Sequence, residues 1–149
     1  MFVLDTNVVS ELRKAKAGKV DRGVVIWASG VPAEDLFVSV ITVLELQTGV
    51  LLMQRRDPRK GALFRRWLDY HVLPAFSGRV LSVDTAVAQR CAALHVPNPR
   101  SERDALIAAT AMVHNMTVVT RNVSDFQATG VPLLNPWETM PRPRGRRIR

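Results

Sequence analysis

"MFVLDTNVVSEL" (residues 1–12) decides how the rest of this 149-residue chain is read. Phe2-Val3-Leu4 is an apolar run of the length of a short buried strand. Asp5 follows at once, and from Thr6 onward the apolar residues fall at helical spacing. A strand that ends on a carboxylate and turns directly into a helix places that carboxylate at the strand's carboxyl end. In open α/β sheets that edge is where ligands bind.

Outward from this stretch the alternation repeats. Met1 to Leu4 is the first strand, and Thr6 to about Lys14 the first helix. "KAKAGKVDRG" is a charged connection. A helix is expected from Val24 to about Ser29, closed by Gly30-Val31-Pro32. Leu36 to Val38 is a second strand. A long apolar helix runs from about Thr42 to Arg56 and stops before Pro58. Another runs from Arg59 to Leu73, with Leu63, Phe64, Trp67 and Leu68 on one stripe. Arg79 to Val83 is a third strand, followed by helices at Thr85 to about His95 and Ser101 to His114. "MTVVT" (116–120) is a fourth strand and "VPLLN" (131–135) a fifth. Short strands joined by helical crossovers predict an α/β fold, an open and mainly parallel sheet flanked by helices in a single domain.

Composition narrows the function classes. Hydrophobic residues make up 47%, enough for a real core at this length. No apolar run reaches the roughly 20 residues that span a bilayer, and Asp5 and Glu11 interrupt any signal-peptide layout, so a cytoplasmic protein with no membrane role is expected. Cys91 is the only cysteine, and His71, His95 and His114 are scattered, which excludes a disulfide framework and a zinc spacing. Of the net charge of +8, five arginines lie in the last eight residues, leaving +3 for the rest. The folded domain is therefore placed at 1–140. Residues 141–149 are read as a basic, disordered tail, suited to nucleic-acid phosphates or simply to solubility.

Several carboxylates and amides stand at strand ends or interrupt apolar helices. Glu45 breaks "ITVLELQTGVLL", where a lone buried carboxylate is costly. Asp104 opens "ERDALIAATAMVH". Asn122 and Asp125 follow "MTVVT", and Asp84 follows the third strand. Each has a structural reading. Asp5 or Thr6 caps the first helix, Asp84 caps another, and Asp125 makes a turn bond. Thr42-Val43-Leu44-Glu45 and Ser101-Glu102-Arg103-Asp104 have the form of capping boxes. Taken together, they favour a different reading. Carboxylates gathered on one sheet edge repel one another unless some are protonated or a cation intervenes. With no thiolate or imidazole cluster, a hard divalent ion such as Mg²⁺ or Mn²⁺ is the matching partner, and phosphodiester hydrolysis is a reaction it serves.

"VLDTNVVSEL", "SVITVLELQTGV" and "ERDALIAATAMVHNMTVVTRNVSDF", in this order, resemble the motifs of PIN-domain ribonucleases, specifically the VapC and FitB type toxins of bacterial type II toxin–antitoxin pairs. The resemblance runs from Met1 to about Trp137. It implies a PIN-like fold and a Mg²⁺-dependent endoribonuclease, with Asp5, Glu45 and Asp104 as the acidic metal site. Asn122 and Asp125 join these as catalytic companions, Asn122 standing where many members carry an aspartate. Thr6, Asn7 and Thr120 are implied as polar supports, and Arg121 is a candidate phosphate contact. The partners implied are an RNA substrate, a cognate antitoxin that also binds operator DNA, and a second copy in a homodimer.

Two other classes fit parts of the pattern. A phosphoacceptor signalling domain also places an aspartate at a strand end, but it wants a lysine after a late strand, and no lysine follows Lys60. A non-catalytic nucleic-acid-binding adaptor, its acids serving only as caps, predicts binding indifferent to EDTA.

Overall fold

In the computed structural model, which describes residues 1–138, the chain forms one five-stranded sheet wrapped by helices. The strands are β1 (Phe2–Leu4), β2 (Leu36–Ser39), β3 (Val80–Leu81), β4 (Thr117–Val119) and β5 (Leu133–Leu134), in the order β3-β2-β1-β4-β5. All four pairings are parallel, as helical crossovers require. β1 is central. The chain builds the sheet to one side through β2 and β3, then returns to the other side for β4. The resulting switch point lies between the carboxyl ends of β1 and β4.

Alternation along the strands fills both faces. Val3 and Val118 point into one apolar cluster with Ile107, Ala108 and Phe126. Leu4 and Val119 point into the other, with Val8, Val38, Leu46 and Leu68. All four strand residues are fully buried. This is why the strands read as unbroken apolar runs rather than as alternating ones.

The helices are α1 (Thr6–Leu12), α2 (Arg22–Ser29), α3 (Val40–Arg56), α4 (Pro58–Trp67), α5 (Leu73–Ala75), α6 (Thr85–Leu94), α7 (Glu102–Val113) and α8 (Val123–Phe126). A helix C-capped by left-handed Gly18 continues α1 over Arg13–Ala17 in 3₁₀ form. α6 and α7 pack together through Val87, Cys91, Ala105 and Ala109. None of the described helices is long and apolar enough to cross a membrane.

The structure corrects several boundaries. α3 starts at Val40, with the Ser39 hydroxyl accepting from the Ile41 N–H at 3.0 Å. Thr42 is therefore not a cap but a fully buried residue inside the helix, and the Thr42–Glu45 capping box does not form. Val40 and Ile41 are β-branched and apolar, so in sequence they read as more strand. Ser101 precedes α7 but makes no side-chain cap bond. The helix expected over 59–73 begins at Pro58, and its middle widens into a π turn at Leu68–Val72 before α5. On its apolar stripe Leu68 is fully buried, Phe64 and Trp67 are partly buried, and Leu63 is exposed. Trp27, Trp67 and Trp137 pack against the core. Asp84 caps α6, as read from the sequence, accepting from the Val87 N–H at 2.9 Å. The 140/141 boundary and the basic tail lie outside the described residues.

Candidate active site

The switch point is built around Asp5. Its backbone N–H donates to the Val119 carbonyl at 2.9 Å, continuing the β1–β4 ladder by one residue. Its side chain caps α1, with Oδ1 accepting from the Thr6 N–H at 2.8 Å. Oδ2 accepts from the Thr120 hydroxyl at 2.8 Å and from the Asn7 amide at 3.3 Å. The capping expectation and the functional one thus fall on the same carboxylate. Asp5 is only 6% exposed and Thr120 not at all.

Asn7 and Thr120 extend this frame across the strand ends. The Asn122 N–H donates to Thr120 Oγ1 at 3.0 Å, and Asn7 Oδ1 accepts from the Arg121 N–H at 3.3 Å. The backbone that leaves β4 is thereby fixed to the side chains that follow β1. Both Asp5 oxygens are held in place by neutral donors.

Glu45 enters from α3, one turn beyond Thr42. The Thr6 hydroxyl donates to Glu45 Oε1 at 2.9 Å and stands 3.2 Å from the Thr42 hydroxyl. Glu45 Oε2 faces the Arg103 guanidinium at 3.8 Å. Asp104 lies half-buried on the first turn of α7. Asp125 and Asn122 are exposed beyond β4. Arg121 lays its guanidinium 5.3 Å from the Trp137 ring centroid. Hydrogen bonds therefore unite Asp5, Thr6, Asn7, Glu45 and Thr120, whereas Asp104 and Asp125 join through their charge.

That charge is visible in the acid groups. Burial pushes the Asp5 carboxyl above its ordinary range. The Thr120 hydroxyl and the Thr6 N–H oppose this, and the Glu45 and Asp125 charges reinforce it. Asp104 is also raised, first by burial and then by the Asp5 and Asp125 charges, with the Ser101 hydroxyl opposing. Among the described residues the ion pairs are Lys14–Glu11, Arg65–Asp69 and Arg103–Glu45, so none neutralises Asp5 or Asp104.

An all-oxygen donor set under mutual repulsion is what a hard divalent cation relieves, and Mg²⁺ or Mn²⁺ fits that chemistry. As the side chains stand, no three His, Cys, Asp or Glu residues among those described are close enough to hold an ion together. The three-carboxylate shell is thus not drawn together, and the fit rests on donor type and charge.

Two residues at this site escaped the sequence reading as contributors. Thr42 sits one helical turn before Glu45, so its place on the same face was available from spacing alone. Arg103 was visible beside Asp104, but its partner is on another helix, and no local pattern announces that contact.

A groove opens alongside. Leu12, Arg13, Leu63, Phe64, Trp67 and His71 line a cavity of about 470 Å³. A neighbouring cavity of about 280 Å³ shares Arg13, Phe64 and Trp67 and reaches Thr6 and Glu45. The larger cavity does not touch Asp5, and its walls combine apolar side chains with Arg13, Arg66 and His71.

The chain is similar to known proteins in sequence and in fold. The PIN domain family model covers residues 2–131. VapC ribonuclease Y4jK of Sinorhizobium fredii is 41% identical over 143 residues, spanning 93% of this chain and 99% of that protein. Toxin FitB of Neisseria gonorrhoeae is 38% identical over 142 residues, spanning 92% and 99%. The solved structure of FitAB bound to the IR36 DNA fragment superposes with a TM-score of 0.83 at 34% identity, over 96% of this chain and all of that one. On these grounds, and on a parallel sheet carrying Asp5 at its switch point, the chain belongs to the PIN-domain family, as a toxin of the VapC and FitB type.

Proposed function

We propose that the protein is a metal-dependent endoribonuclease, the toxin of a type II toxin–antitoxin pair, hydrolysing RNA phosphodiester bonds at the carboxyl edge of its sheet. The observation that carries this reading is Asp5, a buried carboxylate with both oxygens held by neutral donors and two further carboxylates raising its pKa. A carboxylate that served only as a helix cap would not be surrounded by other acids.

Asp5, Asp104 and Glu45 would hold Mg²⁺, for which Mn²⁺ can substitute. When bound, the ion offsets the crowded negative charge, acidifies water and polarises a phosphoryl oxygen. The remaining work falls to the chain's own atoms. Thr120 and Thr6 fix the direction of the two Asp5 oxygens, so no reorientation is needed as substrate arrives. Thr6 also pins Glu45 Oε1, so that Oε2, once parted from Arg103, would accept the proton of the attacking water. Asn7 keeps the β1 and β4 ends in register. Asn122 and Asp125, at the mouth, orient water by hydrogen bonding. The buried floor of Leu4, Val119 and Thr120 keeps bulk water from one side.

For partners, the groove beside Glu45 suits an apolar segment of an antitoxin, entering between α1, α3 and α4. Operator DNA would be reached through that antitoxin, in keeping with the DNA-bound FitAB relative. The exposed Leu44, Leu51 and Leu52 on α3 supply an apolar face for a homodimer.

The test is cleavage of labelled tRNA and mRNA pools by the purified protein in Mg²⁺, Mn²⁺ or EDTA, beside Asp5→Ala. Cleavage that needs a divalent ion and Asp5 is expected. RNA binding without cleavage, unchanged by EDTA, would instead favour the adaptor reading.

A further inference from the structure

Arg103 occupies the first turn of α7, immediately before Asp104, and its Nη1 stands 3.8 Å from Glu45 Oε2. The other carboxylate oxygen is fixed at 2.9 Å by the Thr6 hydroxyl. Glu45 is therefore held on one side by a short neutral bond and on the other by a loose ionic contact, longer than a charge-assisted hydrogen bond. The Arg103 side chain is 51% exposed and the Glu45 side chain 27%. A contact so long and so wet is weak and easily parted. Among the described residues it is also the only ion pair that reaches the acidic group. The guanidinium of Arg121 is engaged over the Trp137 ring, and that of Arg13, in the cavity that reaches Glu45, over the Phe64 ring.

We propose that Arg103 is a resident counter-cation. It neutralises Glu45 in the metal-free protein, gives up that carboxylate to an incoming divalent ion, and presents its freed guanidinium to an RNA phosphate. The inference rests on the nuclease reading above. The geometry suits both states, because Arg103 and Asp104 share one helical turn and the side chain stays at the mouth when the pair opens. The planar guanidinium fork matches phosphate oxygens as well as it matches a carboxylate. Arg103 would thus act as a positioning residue, coupling metal arrival to substrate capture.

Calorimetric titration with MnCl₂ into the full chain tests the first half, comparing wild type, Arg103→Gln, Glu45→Gln, the double variant and Asp5→Asn. Arg103→Gln is expected to bind Mn²⁺ about two- to fivefold more tightly, the range for releasing an exposed ion pair. In the Glu45→Gln background the same substitution is expected to change affinity by under about twofold, since the pair is already gone. RNA binding to the full chain in Ca²⁺, with the RNA shown intact on a gel afterwards, tests the second half. Arg103→Gln is expected to weaken it and to lower the salt slope by about one.

The outcomes separate the two ideas. If Asp5→Asn binds Mn²⁺ as wild type does, the metal site itself is wrong, and the inference falls with it. If Mn²⁺ binding needs Asp5 but Arg103→Gln binds no more tightly than wild type, the nuclease reading stands and the counter-cation is overturned. An unchanged salt slope would likewise overturn the phosphate role.

Discussion

Gly61→Ala offers a quantitative test of how the helix carrying Glu45 is held. α3 and α4 form an antiparallel hairpin around Asp57, whose Oδ1 accepts from the Lys60 N–H at 3.2 Å. Gly61 lies where the two helices touch. A Cβ added there would sit 2.4 Å from the Gln54 Cα, 2.6 Å from its nitrogen and 2.7 Å from its Cγ. Two of these three atoms are backbone and cannot rotate away. Restoring ordinary contact requires the helices to part by about 1 Å, an overpacking that costs about 1–3 kcal/mol. Alanine returns up to about 1 kcal/mol of helix propensity. With the full return the net loss is about 0–2 kcal/mol, or a Tm lower by up to about 8 °C for a chain of this size. Gly49→Ala on α3 is the control. Nothing lies within 4 Å of its added Cβ, so only the propensity gain remains, and the variant should be more stable than wild type. Thermal and urea melts followed by circular dichroism read both. If Gly61→Ala gained stability as Gly49→Ala does, the close helix contact, and the groove walls that depend on it, would be refuted.

Other consequences follow from the acidic centre. Asp104→Asn should abolish Mg²⁺-dependent cleavage while leaving the metal-free Tm no lower, because one repelling charge is removed; a lowered Tm with retained cleavage would contradict it. Thr120→Val removes the hydroxyl that holds the Asp5 pKa down, so the acid limb of the cleavage pH profile should move to higher pH. It should also cost about 1–3 kcal/mol through a buried acceptor that loses its partner, measured by denaturant titration. Asp5 and Asp104 are both raised above their ordinary 3.8, so without a divalent ion their contribution favours the fold below that pH and is lost as pH rises through the shifted values. Melts of wild type and the Asp5→Asn/Asp104→Asn pair should therefore diverge with rising pH, in the variant's favour. Glu11 works in the opposite sense. The Lys14 ammonium and the Asp21 N–H hold it below its ordinary 4.5, so its stabilisation is present above that pH and lost as pH falls. Glu11→Gln should lose its disadvantage in acid melts.

Much of this was legible from the chain because strand ends are marked by composition. Phe2-Val3-Leu4 and Val118-Val119 are apolar on both faces, and the residue that breaks each run, Asp5 or Thr120, is at the site. Glu45 was legible for a related reason, since a carboxylate inside an apolar helix needs a partner. Less legible was where that helix starts. Val40 and Ile41 suit a strand as well as a helix, and only Ser39 as its cap resolves them. The π turn at Leu68–Val72 has no local signal, because one extra residue per turn is tolerated only by the packing around Leu68 and Val72. The same limit hid the Arg103–Glu45 contact, which depends on how α7 leans on α3.

Anomalous scattering from a manganese-soaked crystal tests the central claim most directly. The account predicts one ion at the carboxyl ends of β1 and β4, in direct contact with the Asp5 and Asp104 carboxylates, with Glu45 turned toward it and away from Arg103. Manganese seated elsewhere, with Asp5 still bonded only to Thr6, Asn7 and Thr120, would contradict it.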